Sequence, residues 1–342
     1  MRVLAAMSGG VDSSVTAALL LDEGHEVVGA TLKLWGGASD SGCCSVGDVE
    51  DARRVAQQLG VEHWVFNFTE DFDRRVVAPY VSAHAAGRTP NPCVECNRHL
   101  KFDRLLRRAR QLGFDAVATG HHARVRFAGG RYRLLRGADR AKDQSYVLHM
   151  LGQTELARCL FPVGDMTKAE VREHARDLGL RTADKPDSQD VCFVTATGGR
   201  AAFLAPRIGL RPGRVVDVDG AEVGRVDAVE LVTVGQRRGL GGGGGERRYA
   251  LAVDTDSATV VAGSLDDLMV DRVELADVTW TAGAAPPDGS TVLAQCSAHG
   301  RAVEATLDGS RLRFAEPVRR VASGQSVALY RGDEVLGGGT AA

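Results

Sequence analysis

Two stretches of this sequence combine residue types that do chemistry together. The first is Ser8-Gly9-Gly10-Val11-Asp12-Ser13-Ser14, between a short apolar run (Val3–Ala6) and a helical pattern read as Ser13–Glu23. Glycines at a strand–helix turn let backbone N–H groups approach a polyphosphate, and the helix N-terminus adds partial positive charge. Ser8, Ser13 and Ser14 can add hydroxyl donors, while Asp12 suits a phosphate-bound Mg²⁺ better than bare phosphate. No Lys follows a Gly anywhere in the chain, so the GxxxxGK[ST] loop of γ-phosphate enzymes is absent. The second kind is cysteine. Cys96, in Asn91-Pro92-Cys93-Val94-Glu95-Cys96-Asn97, falls where a helix over about 95–112 is expected to begin. A helix N-terminus and the neighbouring Arg98, His99 and Lys101 favour a thiolate. Cys192 follows a long helical pattern in Asp187-Ser188-Gln189-Asp190-Val191-Cys192-Phe193.

The elements that must position these groups alternate short β-like runs with helical periodicity through the first two hundred residues, which reads as a parallel α/β sheet. Strands are expected at 27–34, 63–68 and 115–119, and a hairpin over 123–135 around Ala128-Gly129-Gly130. Thr167 with Glu170 forms a capping box for the helix that follows. After about residue 205 short strands recur between Gly, Pro and Asp turns, at 213–218, 231–234, 249–254 and 259–262, and again from 273 onward. The expected organisation is therefore an α/β domain over 1–204, a small β-rich domain over 205–270 and a C-terminal β-barrel over 271–342. The glycine run 241–245 is expected to be mobile unless a ligand orders it.

Composition narrows the class. The chain has 342 residues, 44% apolar and 25% charged, in the range of ordinary globular proteins. No apolar run approaches the ~18 residues of a membrane span, and the N-terminus lacks a signal-peptide core, which predicts a cytoplasmic protein. Seven cysteines, an odd number scattered along the chain, do not form a secreted disulfide framework. The net charge of −2 hides a span from 98 to 140 with twelve Lys/Arg against three Asp/Glu, suited to neutralising phosphates.

The motif SGGxDSS after an N-terminal strand resembles the pyrophosphate loop of the ATP pyrophosphatase (PP-loop) superfamily, with its adenine nucleotide alpha hydrolase-like sheet. The resemblance implies cleavage of ATP between its α- and β-phosphates, leaving an adenylated substrate. ATP would then be held by Ala6, Met7, Ser8, Gly9, Gly10, Val11, Asp12 and Ser13, with Leu32 and Gly120 bordering the adenosine, and Mg²⁺ at Asp12. Further blocks are RTPNPCVECN at 88–97, ATGHHAR at 118–124, KDQSY at 142–146, DSQDVCF at 187–193 and GQRRGLG at 235–241. In this order they resemble the tRNA-specific 2-thiouridylase family over roughly residues 1–280.

That resemblance implies an enzyme, a sulfurtransferase acting at the 2-position of the wobble uridine in the anticodon loop of tRNA. Cys192 would accept sulfur as a persulfide from a cysteine desulfurase or sulfur-relay protein. Cys96 would assist its release, leaving a transient Cys96–Cys192 disulfide for external thiol to reduce. His121, Lys142, Asp143, Gln144 and Gln325 would contact tRNA, and Gln236, Arg237 and Arg238 belong to a loop expected to order on RNA. The chain departs from the family in two places. Cys93 stands where some members carry an Asp, and 295–301 replaces an Arg-Tyr-Arg-like strand. Three alternatives remain open at this level: another adenylating PP-loop ligase, a non-catalytic RNA-binding or metal-binding module using Cys93 and Cys96, and an iron–sulfur-dependent thiolation with Cys93, Cys96 and Cys192 as cluster ligands. Cys43, Cys44, Cys159 and Cys296 are expected to be inert.

Overall fold

The computed structural model describes residues 1–35, 46–187, 191–241 and 247–342. Cys43, Cys44, Ser188, Gln189, Asp190 and most of the glycine run lie outside them. The N-terminal part is built on a five-stranded parallel sheet in the order β3-β2-β1-β4-β7, with β1 Arg2–Ala6, β2 Glu26–Lys33, β3 His63–Asn67, β4 Ala116–Thr119 and β7 Cys159–Leu160. The hairpin β5 (Ala123–Ala128) and β6 (Arg131–Arg136) lies between β4 and β7 in sequence. Val3, Leu4 and Ala5 of β1 are fully buried. Helices cover both sheet faces, which is why β1 and β2 read as continuous apolar runs rather than alternating ones. The chain leaves β1 toward β2 and later crosses back to place β4 on the other side of β1. In an open parallel sheet that reversal opens a crevice at the C-terminal strand ends, where ligands bind.

A four-stranded sheet follows, from Gly213–Val216, Glu222–Val226, Tyr249–Asp254 and Thr259–Gly263. The strand expected at 231–234 is absent. Val229–Leu231 is a 3₁₀ turn, and Val229 and Val232 are buried as a loop packed on this sheet. Their apolar spacing reflects that packing, not a ladder. The C-terminal strands, from Met269–Trp280 to Glu334–Ala341, form an antiparallel sheet closed by pairing of those two strands.

The hairpin was legible as a local unit, but its partner was not. β6 pairs with the last strand (Leu134 with Val335, Leu135 with Glu334), so a segment of the N-terminal part extends the C-terminal sheet. Arg131 and Arg133 reach Glu334 at 2.7 and 3.3 Å, Arg124 and Arg140 pair with Asp333, and Arg136 stacks 3.6 Å over the Tyr330 ring. Arg124, Arg131, Arg133, Arg136 and Arg140 of the basic span thus help to dock the barrel. Leu134, Ala328, Tyr330 and Val335 share one apolar core with Leu4, Phe72 and Leu100 of the N-terminal part.

Candidate active site

The first half of the site is the turn after β1. Gly10 ends the turn in extended geometry, and helix Val11–Asp22 starts after it. Ser8 N–H donates to Ser13 Oγ (3.1 Å), and the Ser13 and Ser14 hydroxyls donate to the Gly10 carbonyl at 3.0 and 2.8 Å. These bonds hold the loop open with its first helical N–H groups turned toward the crevice. Gly9 has φ +72°, and a Cβ there would lie 2.4 Å from the Asp48 carbonyl oxygen. Gly120, just past β4, sits so close to the helix start that a Cβ would lie 2.7 Å from Ser13 N. Leu32 is buried at the end of β2. The expected nucleotide residues therefore gather at the C-terminal ends of β1, β2 and β4.

Charges around this turn were not all foreseen. Lys168 Nζ contacts both Asp12 carboxylate oxygens at 2.7 Å and Asp187 Oδ1 at 2.9 Å. His122 Nε2 lies 3.1 Å from Asp12 Oδ1. Burial raises the pKa of Asp12, but His122 and Lys168 outweigh it, so the carboxyl is held below its usual range. Lys185 Nζ contacts the Gly9 carbonyl (2.9 Å), Asp48 (2.7 Å) and Asp51 (2.8 Å); burial works against its charge, yet the two carboxylates raise its pKa. Asp187 also receives Lys142 at 2.8 Å and Arg172 at 2.8 Å. Against the opposing effect of burial, Lys142 and Lys168 pull its pKa down to about 2. Lys168 and Lys185 were missed because each is a single Lys in a helical or loop context. The one available signal was the position of Lys168 directly after the Thr167 cap.

The thiol half differs from expectation in one respect. Asn91 caps a helix that begins at Pro92, its Oδ1 accepting from Cys93 N–H at 3.1 Å, and the helical chain runs on through a π-helical stretch, Asn97–Leu105. Cys93 therefore occupies the first turn and Cys96 the next, so the helix-terminus argument made for Cys96 belongs by position to Cys93. The cause is Pro92, which is well suited to the first turn of a helix. Cys192 opens a short helix, Cys192–Thr195, and Phe193 behind it packs edge-on against Phe72 and Tyr80. A cleft of about 520 Å³ is lined by Tyr80, His84, Pro92, Val191, Val194 and Arg200, among others. The segments flanking the two cysteines face the same opening. Cys159 is buried in β7, where desolvation pushes its thiol well above the ordinary range, and burial raises Cys296 to about 11. Among the described residues no group of three or more His, Cys, Asp or Glu is gathered to hold a metal ion.

The residues expected at tRNA divide into surface and interior. His121 is buried between Phe102 and Phe161 and bonded to Thr119 Oγ1 at 2.6 Å. Desolvation holds its pKa well below the ordinary value. The ring is neutral and enclosed in the wall of the crevice. The Asp143 carboxylate is likewise turned inward, accepting from Arg136, Gly137 N–H and Ser145. Lys142 remains partly exposed, and Gln144 is exposed while its Oε1 accepts the His122 N–H at 3.0 Å. Gln325 is half-buried in a loop whose Ser323 carbonyl accepts Thr89 N–H at 2.8 Å. That contact places the barrel loop beside the segment leading to Cys93. Arg237 and Arg238 are exposed.

Comparison with known proteins bears on the whole chain. A family model described as the tRNA methyl transferase HUP domain matches residues 1–196. Its PRC-barrel counterpart matches 201–264, and an aminomethyltransferase beta-barrel domain matches 270–341. The tRNA-specific 2-thiouridylase MnmA of Chloroflexus aurantiacus is 48% identical over 349 residues, covering 99% of this chain and 97% of that protein. The protein of the same name from Mycobacterium leprae is 49% identical over 359 residues, covering 100% of this chain and 99% of its own length. With such identity sustained through all three structural units, the chain belongs to the tRNA-specific 2-thiouridylase family.

Proposed function

We propose that this protein replaces the 2-oxygen of the wobble uridine in tRNA by sulfur, at the expense of ATP, in the cytoplasm. One observation carries the reading: Lys168 links Asp12 of the nucleotide turn to Asp187, five residues before Cys192. Five residues span at most ~18 Å, so Cys192 is tethered near the crevice. The nucleotide turn supplies N–H groups for the phosphates, and Lys168 and Lys185 supply positive charge against the leaving pyrophosphate. A magnesium ion bound with the nucleotide would neutralise phosphate charge, and Asp12, kept ionised, is the residue fitted to hold it.

The uridine 2-oxygen attacks the α-phosphorus, pyrophosphate leaves, and the 2-carbon acquires AMP as a leaving group. The terminal sulfur of a Cys192 persulfide, delivered by a desulfurase or relay protein, then displaces AMP. Cys96 thiolate attacks the inner Cys192 sulfur, forming a Cys96–Cys192 disulfide and releasing the thiolated base. The base must be extruded from its loop to reach this site. Lys142, Gln144 and Gln325 are the surface contacts proposed for tRNA, while His121 and Asp143 support them from below. The test is thiolation of unmodified tRNA with ATP, Mg²⁺ and a persulfide donor, read by mercury-gel retardation. Wild type is expected to give the retarded band and Cys96→Ala and Cys192→Ala none. Full retardation with both variants contradicts the cysteine route.

A further inference from the structure

The proposed reaction leaves Cys93 idle, although its position is closely tied to the other two thiols. Cys93 is exposed, whereas Cys96 and Cys192 are half-buried. Cys93 and Cys96 stand at i and i+3 on one helical segment, where side chains lie on the same face with Cβ atoms about 5–6 Å apart. A small adjustment of the first turn brings such a pair into disulfide range. On its other side Cys93 lies near Tyr80: burial raises the Tyr80 pKa, and the Cys93 sulfur adds to that rise. The Tyr80 ring packs edge-on at 5.4 Å against Phe193, the residue after Cys192. Tyr80, Pro92, Val191 and Val194 line one cleft. The segments that carry the three thiols therefore flank a common opening, and Cys93 is the thiol that solvent reaches best.

We propose that Cys93 is the resolving thiol of the catalytic cycle, attacking Cys96 in the Cys96–Cys192 disulfide that a turnover leaves. This rests on the function proposed above. The Cys93–Cys96 sulfur–sulfur bond forms and the Cys96–Cys192 bond breaks. The electron pair of the broken bond leaves on Cys192 as thiolate. The exchange is redox-neutral, and one external dithiol then reduces the Cys93–Cys96 disulfide, itself becoming a disulfide. Cys192 is thereby returned to accept the next sulfur without a reductant having to enter the cleft.

The test uses the full chain, charged with persulfide and mixed with unmodified tRNA, ATP and Mg²⁺ without reductant, then quenched with acid and alkylated for peptide mass mapping. The expected product is a Cys93–Cys96 disulfide with Cys192 alkylated. In Cys93→Ser the Cys96–Cys192 disulfide accumulates instead. Steady-state turnover at limiting dithiol falls about tenfold or more, and excess small dithiol restores it, which loss of structure alone would not allow. Alkylated Cys93 beside a persisting Cys96–Cys192 disulfide in wild type overturns the proposal alone. So does protein-bound iron that disappears in Cys93→Ser. Normal thiolation by Cys96→Ser overturns the underlying reaction and the proposal with it.

Discussion

Lys168 holds two carboxylates that have different jobs. Its side chain is largely buried, 12% exposed, and its ammonium group is shared between Asp12 in the glycine turn and Asp187 on the path to Cys192. An incoming polyphosphate would offer the same charge as these carboxylates, so the proposed nucleotide site predicts competition for Lys168. Replacing it with the apolar Met leaves two carboxylates facing an unneutralised phosphate chain. The expected result for Lys168→Met is a fall of roughly 10- to 100-fold in tRNA-dependent pyrophosphate release, the range of one charge-assisted hydrogen bond of about 1.5–3 kcal/mol. Pyrophosphate release at the wild-type rate would remove Lys168 from the site. The sequence disclosed Asp12 because a glycine turn and a helix start frame it. It concealed Lys168, Lys185 and the inward turn of His121, since each depends on a partner at least 40 residues away, and for Lys185 as far as 176.

At the scale of elements, local pattern decided well where burial follows periodicity. Strands β1 to β4 of the parallel sheet, the Thr167–Glu170 capping box and the turn at Gly129-Gly130 form as their spacing predicts, whereas the two-residue β7 carries too little pattern to be read. It failed where an apolar run packs as a loop, at 231–234, and where Pro92 moved a helix start three residues upstream of the expected Glu95. It also gave no hint that β5–β6 adds to a sheet whose last strand lies some two hundred residues later. That junction makes Glu334 a structural residue: its side chain is 11% exposed between Arg131 and Arg133. Glu334→Gln keeps the shape and removes the charge, leaving two partly buried guanidinium groups under-compensated. Its urea midpoint is expected to drop by the equivalent of about 1–3 kcal/mol with an unchanged m-value. An unchanged midpoint would mean that the hairpin docks through its apolar contacts alone.

For the whole molecule, buried histidines set the response to acid. His84, lowered to about 4, and His149, lowered to about 3, are kept neutral mainly by desolvation, with Arg200 and Arg98 adding repulsion. Both rings are almost completely enclosed, and neither His149 nitrogen has a hydrogen-bond partner. Their folded pKa values lie below the unfolded value of about 6.5, so between those limits the unfolded chain binds the protons that the native chain refuses. Stability is therefore full above about pH 6.5 and is lost as pH falls toward 4 and 3. Between pH 7 and 5 each such histidine removes about 2 kcal/mol, and His149→Leu should cancel one share of that loss. Parallel denaturation curves for wild type and His149→Leu at the two pH values check this; identical pH dependence would show that His149 titrates normally.

The same assembly brings the barrel loop at Ser323–Gln325 and Thr233 of the middle unit against Thr89, in the segment that leads to Cys93 and Cys96, so all three structural units meet there. The central claim is that the uridine oxygen itself becomes an AMP oxygen before sulfur enters. Unmodified tRNA carrying ¹⁸O at the 2-position of the wobble uridine, thiolated in ordinary water, tests this directly by mass spectrometry of the nucleotide product. The account predicts one ¹⁸O in AMP for each uridine thiolated and none in pyrophosphate. Unlabelled AMP, with the heavy oxygen in pyrophosphate or released to water, would contradict it.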